Sequence, residues 1–347
     1  MKTFIIAELS ANHLQQYEIA ERSIKAMAES GADAVKCQTY TANTMTLNSK
    51  NECFTINNGS MWDGQTYHSL YDKAGMPWNW QPKLKEYAES LGLVWFSTPF
   101  DKTSVDFLES INNPIYKIAS FELVDIPLIE YAASKGKPMI MSTGIATIDE
   151  IKEAVDACKR VNNYNITLLK CTSAYPTPYE ELNLKAIPYL KELLCVPIGL
   201  SDHTLSSAVA VSAVTLGATT IEKHFILDRS MGGPDAEFSM EPHEFKYMVE
   251  SIRKIEAALS TEAYKLPDDI DKKRMFMRSI FVVKDIKKGE LLTEDNIRSI
   301  RPNNGLEPKH FNQIIGTKAK YDIKKGTPLQ IEHLKIKIDG KEKINRS

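Results

Sequence analysis

PIGLSDHTLSSAVAVSAVTLGATTIEKHFILDRSMGGPD, residues 197–235, is the stretch of sequence from which the fold is first predicted. Two short apolar runs in and beside it end abruptly in polar residues: VPIGL before SDH at 196–203, and TTI before EKH at 219–224. The segment between them, 206–216, is rich in Ala, Val and Ser and is long enough for one crossover helix. Together these segments predict a strand, a helix and a second strand parallel to the first.

Two histidines stand at corresponding positions after these strands. Side chains alternate along a strand, so Ser201 and His203 face one way, as do Glu222 and His224. Two imidazoles on adjacent parallel strands can meet over one divalent metal ion. A pair of hydrogen-bonded core histidines is the alternative. The neighbouring carboxylate and hydroxyl favour the metal.

The composition is that of an ordinary globular protein. The chain has 347 residues, of which 43% are hydrophobic and 25% are charged, and its net charge is -2. It lacks the basic bias of nucleic-acid binders, so no nucleic-acid partner is expected. A chain of this length exceeds the usual size of a single domain. We therefore expect one large domain and one small one.

The cysteines and the N-terminus indicate the compartment. The five cysteines are odd in number and share no CxxC spacing, which argues against a disulfide framework and against a thiolate zinc site. The apolar run within residues 1–8 is too short for a signal peptide. No run approaches the ~20 apolar residues of a membrane span. We expect a protein of the reducing cytoplasm without a membrane partner.

One pattern repeats along most of the chain. Eight apolar runs fit buried strands, at 4–7, 34–37, 93–96, 115–118, 138–141, 166–169, 196–200 and 219–221. Helical spacing of apolar residues marks segments at 18–29, 83–90, 104–110, 127–134, 148–160, 183–194, 206–216 and 242–259. Thr147 and Glu150 fit a capping box at the start of one of them. Eight strand–helix units predict an α/β fold, a (β/α)8 TIM barrel. A doubly wound sheet is the competitor, but no Gly-x-Gly-x-x-Gly motif follows the first strand.

Polar residues recur where the predicted strands end. In a barrel of this kind the active site is built from the carboxyl ends of the strands. Before the two histidine clusters, the polar residues at these ends are Glu8, Asn12, His13, Lys36, Gln38, Ser97, Thr98, Lys117, Ser120, Glu122, Ser142, Thr143, Lys170, Thr172 and Ser173. This concentration at one end of every strand predicts a single site there.

A long segment, 41–79, interrupts the pattern after the second strand. It is polar, aromatic and contains glycine. Structureless loops of this length in compact domains are usually functional or disordered, so we expect a lid or substrate loop. A surface insertion is the alternative.

The last part of the chain has a different character. DIKKG occurs at 285–289 and again at 322–326, each time followed by a hydrophobic pair or Pro-Leu. These hairpin-like turns predict a small two-fold β-rich module with little core of its own. Arg301 lies between the repeats, in a loop. The expected divisions are a barrel at 1–262, a linker at 263–278 and the module at 279–347.

Seven motifs resemble those of the sialic acid synthase family. They are AELSANH (7–13), VKCQTY (35–40), FSTPF (96–100), YKIASFE (116–122), CTSAYP (171–176), GLSDH (199–203) and IEKHF (221–225). The resemblance spans nearly the whole chain. The C-terminal module is similar to the antifreeze-like (SAF) domain of these synthases, with Arg301-Pro302 in its characteristic loop. Met275, with Phe276 beside it, stands where the family's module can offer an aromatic residue near the sugar.

Within this family the chain is most similar to the members that make pseudaminic acid. SANH at 10–13 stands where N-acetylneuraminate synthases usually have Gly before Asn-His, and Ser173 stands where they typically have Asn. The resemblance implies a transferase that condenses phosphoenolpyruvate with 2,4-diacetamido-2,4,6-trideoxy-β-L-altropyranose, an amino sugar, and releases phosphate. It also implies a divalent metal, Mn²⁺ or Mg²⁺, with Co²⁺ as a third candidate.

Other activities remain open at this point. N-acetylneuraminate or legionaminate synthesis is the nearest alternative. A Schiff-base pyruvate aldolase would use a lysine inside the barrel, and Lys170 and Lys117 are placed for that role. A non-enzymatic carbohydrate-binding protein would account for the C-terminal module but not for eight polar strand ends.

The residues and the resemblance together give candidate site residues. Proton transfer is assigned to Glu8, Glu122 and Glu222, and metal binding to His203 and His224. Lysines and hydroxyls would hold phosphoenolpyruvate by charge-assisted hydrogen bonds; they are Lys36, Thr98, Lys117, Ser120, Ser142, Ser173 and Ser201. The candidate sugar contacts are Gln38, Phe100, Tyr175, Asp235 and Arg301. The resemblance also implies a domain-swapped homodimer, in which Arg301 of one subunit serves the barrel of the other.

Overall fold

Eight parallel strands close into a barrel in the order of the chain, and the last strand pairs with the first. The structure, a computed structural model, describes residues 2–57, 59, 63–174, 177–259 and 264–335. The strands are β1 (Phe4–Glu8), β2 (Ala34–Thr39), β3 (Val94–Pro99), β4 (Tyr116–Ile118), β5 (Met139–Ser142), β6 (Ile166–Cys171), β7 (Ile198–Asp202) and β8 (Thr220–His224). The predicted (β/α)8 barrel is confirmed.

Several strands run further than their apolar runs. The run at 219–221 predicts a strand that ends before Glu222, yet β8 continues to His224. Likewise β2 continues past Cys37 to Thr39. The reason is that the polar side chains at these ends have buried partners. Gln38 and Glu222 bond other polar groups inside the barrel, while Thr39 and Lys223 bond partners on the helix side of the strands. They are therefore part of the strands and do not lie in loops after them.

Helices follow the strands, and two more lie in the 41–79 segment. The helices of this unit are α1 (Tyr17–Glu29), α2 (Ala42–Met45), α3 (Tyr67–Ala74), α4 (Gln81–Ser90), α5 (Lys102–Ser110), α6 (Ile126–Ala133), α7 (Ile148–Arg160), α8 (Ala186–Leu194), α9 (Ser207–Thr215) and α10 (Pro242–Ala258). The capping box before α7 forms as predicted: Glu150 N–H donates to Thr147 Oγ1, and Thr147 N–H donates to Glu150 Oε2. A cap of this kind contributes about 1 kcal/mol to helix stability.

The α7 helix shows how the helices attach to the barrel. Ile151, Ala154, Val155 and Cys158 recur at intervals of three and four residues and are all buried. Because a helix has 3.6 residues per turn, this spacing places them on one stripe that faces the strands. The core between strands and helices is the largest apolar cluster of the unit. It fixes the strands from outside and leaves their inner side chains for chemistry.

Side chains inside the barrel form two layers, since residues two apart on a strand face the same way. The lower layer is apolar and contains Ile6, Ala34, Phe96, Ile140 and Leu169. The upper layer lies two residues further along each of these strands and contains Glu8, Lys36, Thr98, Ser142 and Cys171, all buried. The apolar layer closes the barrel, so the polar layer is accessible only from the carboxyl ends of the strands.

Gly199 on β7 shows how tightly the lower layer is packed. A Cβ atom at this position would lie 2.4 Å from the carbonyl oxygen of Thr220 and 2.6 Å from Cδ2 of Leu169. Both distances are below van der Waals contact, so any side chain would separate β7 from β8. Glycine therefore keeps the two histidine-bearing strands close together.

The described part of the 41–79 segment, 41–57, 59 and 63–79, is not structureless. It contains α2, α3 and short 3₁₀ turns. Hydrogen bonds hold its later part against the barrel; among them, the Trp78 indole donates to the Tyr40 carbonyl at 3.0 Å, and the Gln15 amide donates to the Lys73 carbonyl at 2.9 Å. An ordered segment attached in this way can line the site above β2.

The chain divides into two units, Met1–Leu259 and Ser260–Ser347. The second contains α11 (Ile270–Arg274), β9 (Ser279–Val282), β10 (Ile297–Ile300) and α12 (Phe311–Ile314). Strands β9 and β10 are antiparallel. Its apolar core contains Ile280, Val282, Ile286, Leu292, Ile297, Leu306, Ile314, Ala319, Ile323, Leu329 and Leu334. The predicted β-rich module is thus confirmed, and the limits of the linker at 263–278 stay a prediction.

The DIKKG repeat forms reciprocal contacts inside this unit. Asp285 accepts hydrogen bonds from Lys324 Nζ and from the backbone N–H of Lys325. Asp322 accepts the equivalent bonds from Lys287 and Lys288. The two copies of the motif therefore bind each other around a two-fold arrangement.

Over the described ranges of the whole chain, no helix has the length and apolar content needed to cross a membrane.

Candidate active site

A cavity of about 900 Å³ lies at the carboxyl end of the barrel. Most of the predicted site residues line it: Lys36, Gln38, Phe100, Lys117, Ser120, Glu122, Ser142, Ser173, Ser201, His203, Glu222, His224 and Asp235. They come from the ends of strands β2 to β8 and from the loops that follow them. The strand-end pattern in the sequence therefore does converge on one place.

Four predicted site residues stand apart. Glu8 and Thr98 are fully buried and do not line the cavity, but both contact Lys36, which does: its Nζ lies 2.7 Å from Glu8 Oε2 and 3.4 Å from Thr98 Oγ1. Tyr175 lies outside the described residues. Arg301 belongs to the second unit and is exposed.

Two lysines and two glutamates form one buried network at the base of the cavity. Lys36 Nζ lies 2.7 Å from Glu8 Oε2 and 3.6 Å from Glu222 Oε1. Lys117 Nζ lies 3.7 Å from Glu222 Oε1 and donates a hydrogen bond of 2.7 Å to Ser142 Oγ. Buried charges are tolerated when they are paired in this way. The two ammonium groups on the cavity surface are thus kept inside the barrel by the carboxylates.

The network moves the pKa values of its two carboxyls in opposite directions. Burial raises the pKa of Glu8 to about 7, although the nearby Lys36 opposes the rise. Burial also acts to raise the pKa of Glu222, but Lys117 and Lys36 outweigh it and lower that pKa. Glu222 is therefore ionised at neutral pH, whereas Glu8 can gain a proton near it.

His203 and His224 meet at the ends of β7 and β8. Their ring centroids are 5.3 Å apart, and the ring of Phe238 packs edge-on against both. Burial lowers the pKa of His203 to about 4 and lowers that of His224 well below its usual value. Both imidazoles are therefore neutral at neutral pH, which is the form that binds metals.

The histidine pair fits a divalent cation. His203 Nδ1 lies 3.2 Å from the carbonyl oxygen of Thr172. A ring that donates from Nδ1 presents a lone pair at Nε2, as metal-bound histidines commonly do. In the described residues, Nδ1 of His224 is buried without a hydrogen-bond partner, and Asp235 Oδ2 lies 4.0 Å from it. A lone buried nitrogen of this kind is costly unless a ligand completes it.

Two imidazoles alone make an open site. Over the ranges that the structure describes, no three His, Cys, Asp or Glu side chains converge closely enough to form a metal site by themselves. Catalytic metals keep open positions for substrate or water, whereas structural sites are closed by protein ligands. A cation held by these two imidazoles would keep such positions open.

Glu122 lies on the opposite side of the cavity, in the turn after β4. Burial raises its pKa to about 7, and its Oε2 has no hydrogen-bond partner among the described residues. Next to it, Ser120 Oγ and Ser173 Oγ are 3.0 Å apart. This part of the wall presents a protonatable carboxyl and two hydroxyls to the cavity.

The sequence analysis predicted Phe100 as a sugar contact but missed the other members of an aromatic wall. Tyr40, Tyr67, Tyr71 and Phe100 line the cavity. The Tyr40 ring contacts those of Phe100 and Tyr71 at centroid distances of 5.2 and 5.8 Å. A signal for it exists in the sequence, because Tyr67 and Tyr71 are four residues apart on a helix that Thr66 caps. Phe238, by contrast, follows no pattern that would mark it.

A second cavity, of about 430 Å³, lies beside the first, between the ends of β5 and β6. Lys170 lines this cavity, and its amine donates to Thr172 Oγ1. Burial lowers the pKa of Lys170. Lys170 therefore faces away from the network of Lys36 and Lys117.

Known proteins are similar to this chain over nearly its whole length. Pseudaminic acid synthase of Helicobacter pylori is 50% identical over 331 residues, which cover 95% of this chain and 97% of that protein. N,N'-diacetyllegionaminic acid synthase of Legionella pneumophila is 36% identical and covers 96% of this chain and 95% of its own. The crystal structure of N-acetylneuraminic acid synthetase from Leptospira borgpetersenii has a TM-score of 0.70 at 31% identity, over 79% of this chain and 90% of that one.

Family models agree with these similarities. The model of the SAF domain matches residues 277–335, which include β9 and β10. The model described as the NeuB family matches residues 23–264, most of the barrel unit. The resemblance drawn from the seven motifs is confirmed, and the chain belongs to the NeuB family.

Proposed function

We propose that the protein condenses phosphoenolpyruvate with 2,4-diacetamido-2,4,6-trideoxy-β-L-altropyranose, through the open-chain aldehyde of the sugar, to give pseudaminic acid and phosphate. One observation carries this proposal. Two buried lysines and two neutral imidazoles line a single cavity, in a chain similar over nearly its full length to pseudaminic acid synthase of Helicobacter pylori.

The lysines and hydroxyls at the base of the cavity bind phosphoenolpyruvate. Lys36 and Lys117 are held at fixed positions by Glu8 and Glu222, so little side-chain entropy is lost when the anion binds. The serine hydroxyls around them, at Ser120, Ser142, Ser173 and Ser201, donate to the carboxylate and phosphate oxygens. Charge-assisted hydrogen bonds of this kind are about twice as strong as neutral ones.

The two lysines alone cannot neutralise the charge of phosphoenolpyruvate, because their own charges are balanced by the two glutamates. When all four groups of the network are ionised, its charges cancel, whereas phosphoenolpyruvate is trianionic or nearly so. A proton on Glu8, whose pKa lies at about 7, removes one negative charge. A divalent cation on His203 and His224, Mn²⁺ or Mg²⁺ with Co²⁺ as a third candidate, supplies two positive charges when bound and polarises the sugar aldehyde as a Lewis acid.

Glu222 and Glu122 move the protons. The methylene carbon of phosphoenolpyruvate forms a bond to the aldehyde carbon as its C=C π bond breaks, and the aldehyde oxygen takes up a proton. The adjacent carbon, which carries the phosphate oxygen, becomes positive and adds water, which loses a proton. The bond from that carbon to the phosphate oxygen then breaks, so that phosphate leaves and a ketone forms. Glu222 is ionised and on the cavity wall, so it accepts a proton from the water. Glu122 has a pKa of about 7 and donates a proton to the aldehyde oxygen. Carboxyls whose surroundings move their pKa values apart commonly divide the acid and base roles in this way. Glu8 does not line the cavity and acts through Lys36, with which it is paired.

The upper part of the cavity binds the sugar. Gln38 and Asp235 offer hydrogen bonds to hydroxyl and acetamido groups. The aromatic wall that includes Tyr40 and Phe100 receives the methyl groups of a deoxy, doubly acetylated sugar, which favours an apolar surface. The family resemblance assigns Tyr175, in the CTSAYP motif at 171–176, to binding of the same sugar.

We also propose that the protein acts as a domain-swapped homodimer, in which Arg301 of one subunit binds the sugar in the barrel of the partner subunit. Arg301 is exposed and belongs to a unit with its own small core. A two-fold arrangement would let each chain serve the other. We propose that the reaction takes place in the cytoplasm, which the odd number of cysteines without CxxC spacing supports.

The proposal is tested by product analysis. Purified protein with Mn²⁺, phosphoenolpyruvate and the altrose-series sugar should release phosphate and form a nine-carbon 2-keto acid in equal amounts. Replacing phosphoenolpyruvate by pyruvate should give no product, because no phosphate can leave. Product from pyruvate, together with borohydride trapping of a lysine, would instead support an aldolase that uses Lys170 or Lys117.

A further inference from the structure

Asp202 and Lys223 form an ion pair that the proposed reaction does not use. They are the middle residues of the SDH and EKH motifs, whose outer residues face the cavity. Side chains alternate on a strand, so these two face the helices, as do Leu200 and Ile221 in the core between strands and helices. Lys223 Nζ lies 2.9 Å from Asp202 Oδ2, and both side chains are fully buried.

The ion pair lies at the last rung of the ladder between β7 and β8. Asp202 and Lys223 are register partners, and the ladder ends with them. His203 and His224 each follow by one residue. The rung closed by the ion pair is therefore the one that sets the distance between the two histidine backbones.

The same pair holds the residue that follows His203. The backbone N–H of Thr204 donates to Asp202 Oδ1 at 2.9 Å, and the carbonyl oxygen of Thr204 accepts a hydrogen bond from the Lys223 ammonium group. Both partners of Thr204 thus belong to the ion pair. His203 lies between two residues, Asp202 and Thr204, that Lys223 binds from the neighbouring strand.

Stability alone does not account for such a pair. Removing two charges from water offsets most of their attraction, and apolar side chains of similar volume often stabilise a fold equally well. An apolar pair, however, makes no directional bonds to the Thr204 backbone. We propose that Asp202 and Lys223 are positioning residues, which set the separation and orientation of His203 and His224 for a divalent cation. The inference rests on the proposal that these two histidines hold the cation.

The test removes the ion pair without leaving a lone buried charge. The double variant Asp202→Asn with Lys223→Met keeps an acceptor for the Thr204 N–H and fills the volume of the lysine stem. Mn²⁺ binding is measured by electron paramagnetic resonance of the free ion, with thermal unfolding followed in parallel. We expect a folded protein whose Mn²⁺ dissociation constant rises about tenfold or more, as for other supports of metal ligands. We also expect kcat to fall while KM for phosphoenolpyruvate changes much less.

Two controls separate positioning from general damage. Asp33→Asn with Arg253→Met removes another ion pair, with Nη2 and Oδ2 2.6 Å apart, at the amino end of the barrel; it should leave the Mn²⁺ dissociation constant unchanged. His203→Ala should abolish tight Mn²⁺ binding. If His203→Ala binds Mn²⁺ normally, the metal assignment itself is wrong, which is a different failure from that of the ion pair.

The inference is overturned if the Asp202→Asn, Lys223→Met protein folds and binds Mn²⁺ with wild-type affinity and kcat. It is also overturned if both double variants weaken Mn²⁺ binding equally, because the effect would then follow from lower stability. Should the first double variant fail to fold, Asp202→Asn alone decides, since it keeps the shape of the side chain. That single variant should still weaken Mn²⁺ binding, and wild-type affinity would contradict the inference.

Discussion

Lys117 Nζ donates a hydrogen bond of 2.7 Å to Ser142 Oγ, from the middle of β4 to the last residue of β5. The lysine is buried, and burial lowers its pKa. Its remaining charge partner, Glu222, lies 3.7 Å away. An ammonium group in this position is incompletely neutralised by the protein and directed to the base of the cavity, where we place the phosphoenolpyruvate anion.

Lys117→Ala should lower kcat/KM for phosphoenolpyruvate far more than it weakens binding of the sugar. Removing one partner of a buried charged hydrogen bond costs ~2–5 kcal/mol, a factor of about 30 or more. Steady-state phosphate release measures the first effect, and calorimetric titration with the sugar measures the second. Lys170→Ala is the matched control, since that lysine lines the other cavity. Unchanged KM and kcat for Lys117→Ala would mean that the residue is structural.

Glu122→Gln should make the stability of the protein less sensitive to pH. Burial raises the pKa of Glu122 from 4.5 to about 7 in the folded state, while Lys117 opposes and Asp125 supports the rise. The folded state therefore holds the proton more tightly than the unfolded chain. The contribution of Glu122 to the free energy of unfolding is fully present below about pH 4.5 and is lost as the pH rises to about 7.

Urea unfolding at about pH 5 and about pH 8 checks this prediction. On going to the higher pH, the unfolding free energy of Glu122→Gln should rise by about 1–3 kcal/mol relative to that of the wild type. Glu86→Gln, an exposed position on α4, should show no such change. Equal pH dependence of wild type and Glu122→Gln would mean that Glu122 ionises as it does in water.

Chelation should abolish activity, and Mn²⁺ or Mg²⁺ should restore it. His203→Ala and His224→Ala should keep the fold, because each removes a ring on the cavity wall and leaves the apolar core between strands and helices intact. Turnover should fall by at least about a hundredfold, because a Lewis acid stabilises the transition state by several kcal/mol. Circular dichroism verifies the fold, and phosphate release measures turnover. Full activity in chelator would remove the metal from the account.

Mixing two inactive proteins tests whether Arg301 acts in the partner's barrel. In a swapped heterodimer of His203→Ala and Arg301→Ala subunits, one site carries both lesions and the other carries neither. Up to about half of the heterodimer sites should then regain activity. A mixture of His203→Ala and His224→Ala is the control, since each barrel keeps a lesion and no site can recover. No recovery with Arg301→Ala, despite demonstrated heterodimers, would mean that Arg301 serves its own chain.

The barrel was predictable because its strands are buried on both faces. Runs such as 4–7 and 93–96 are wholly apolar, and helical spacing fills the gaps between the runs. The ends of the strands were not predicted by the same rule. Glu222 and His224 lie within β8 because the polar layer of the barrel binds its own charges. An apolar run therefore marks where such a strand is buried in an apolar layer, and not where it ends.

The sequence predicts which residues belong to the site, but not which of them reach the cavity. Alternation places Glu8 and Lys36 inside the barrel, yet it does not tell that Lys36 lines the cavity and that Glu8 does not. This difference depends on how the two side chains pack in three dimensions. Asp202 and Lys223 show the opposite case, because alternation sends them to a core where charges are unexpected, and their pairing appears only in three dimensions.

The proposed preference of the enzyme for the altrose-series sugar is tested by competing substrates. The measurement is kcat/KM for phosphate release at saturating phosphoenolpyruvate, with the altrose-series sugar and with the amino sugars that lead to N-acetylneuraminate and to legionaminate. We predict that the altrose-series sugar is preferred by about tenfold or more, equivalent to ~1.4 kcal/mol in the transition state. An equal or higher kcat/KM for either of the other sugars would contradict the account.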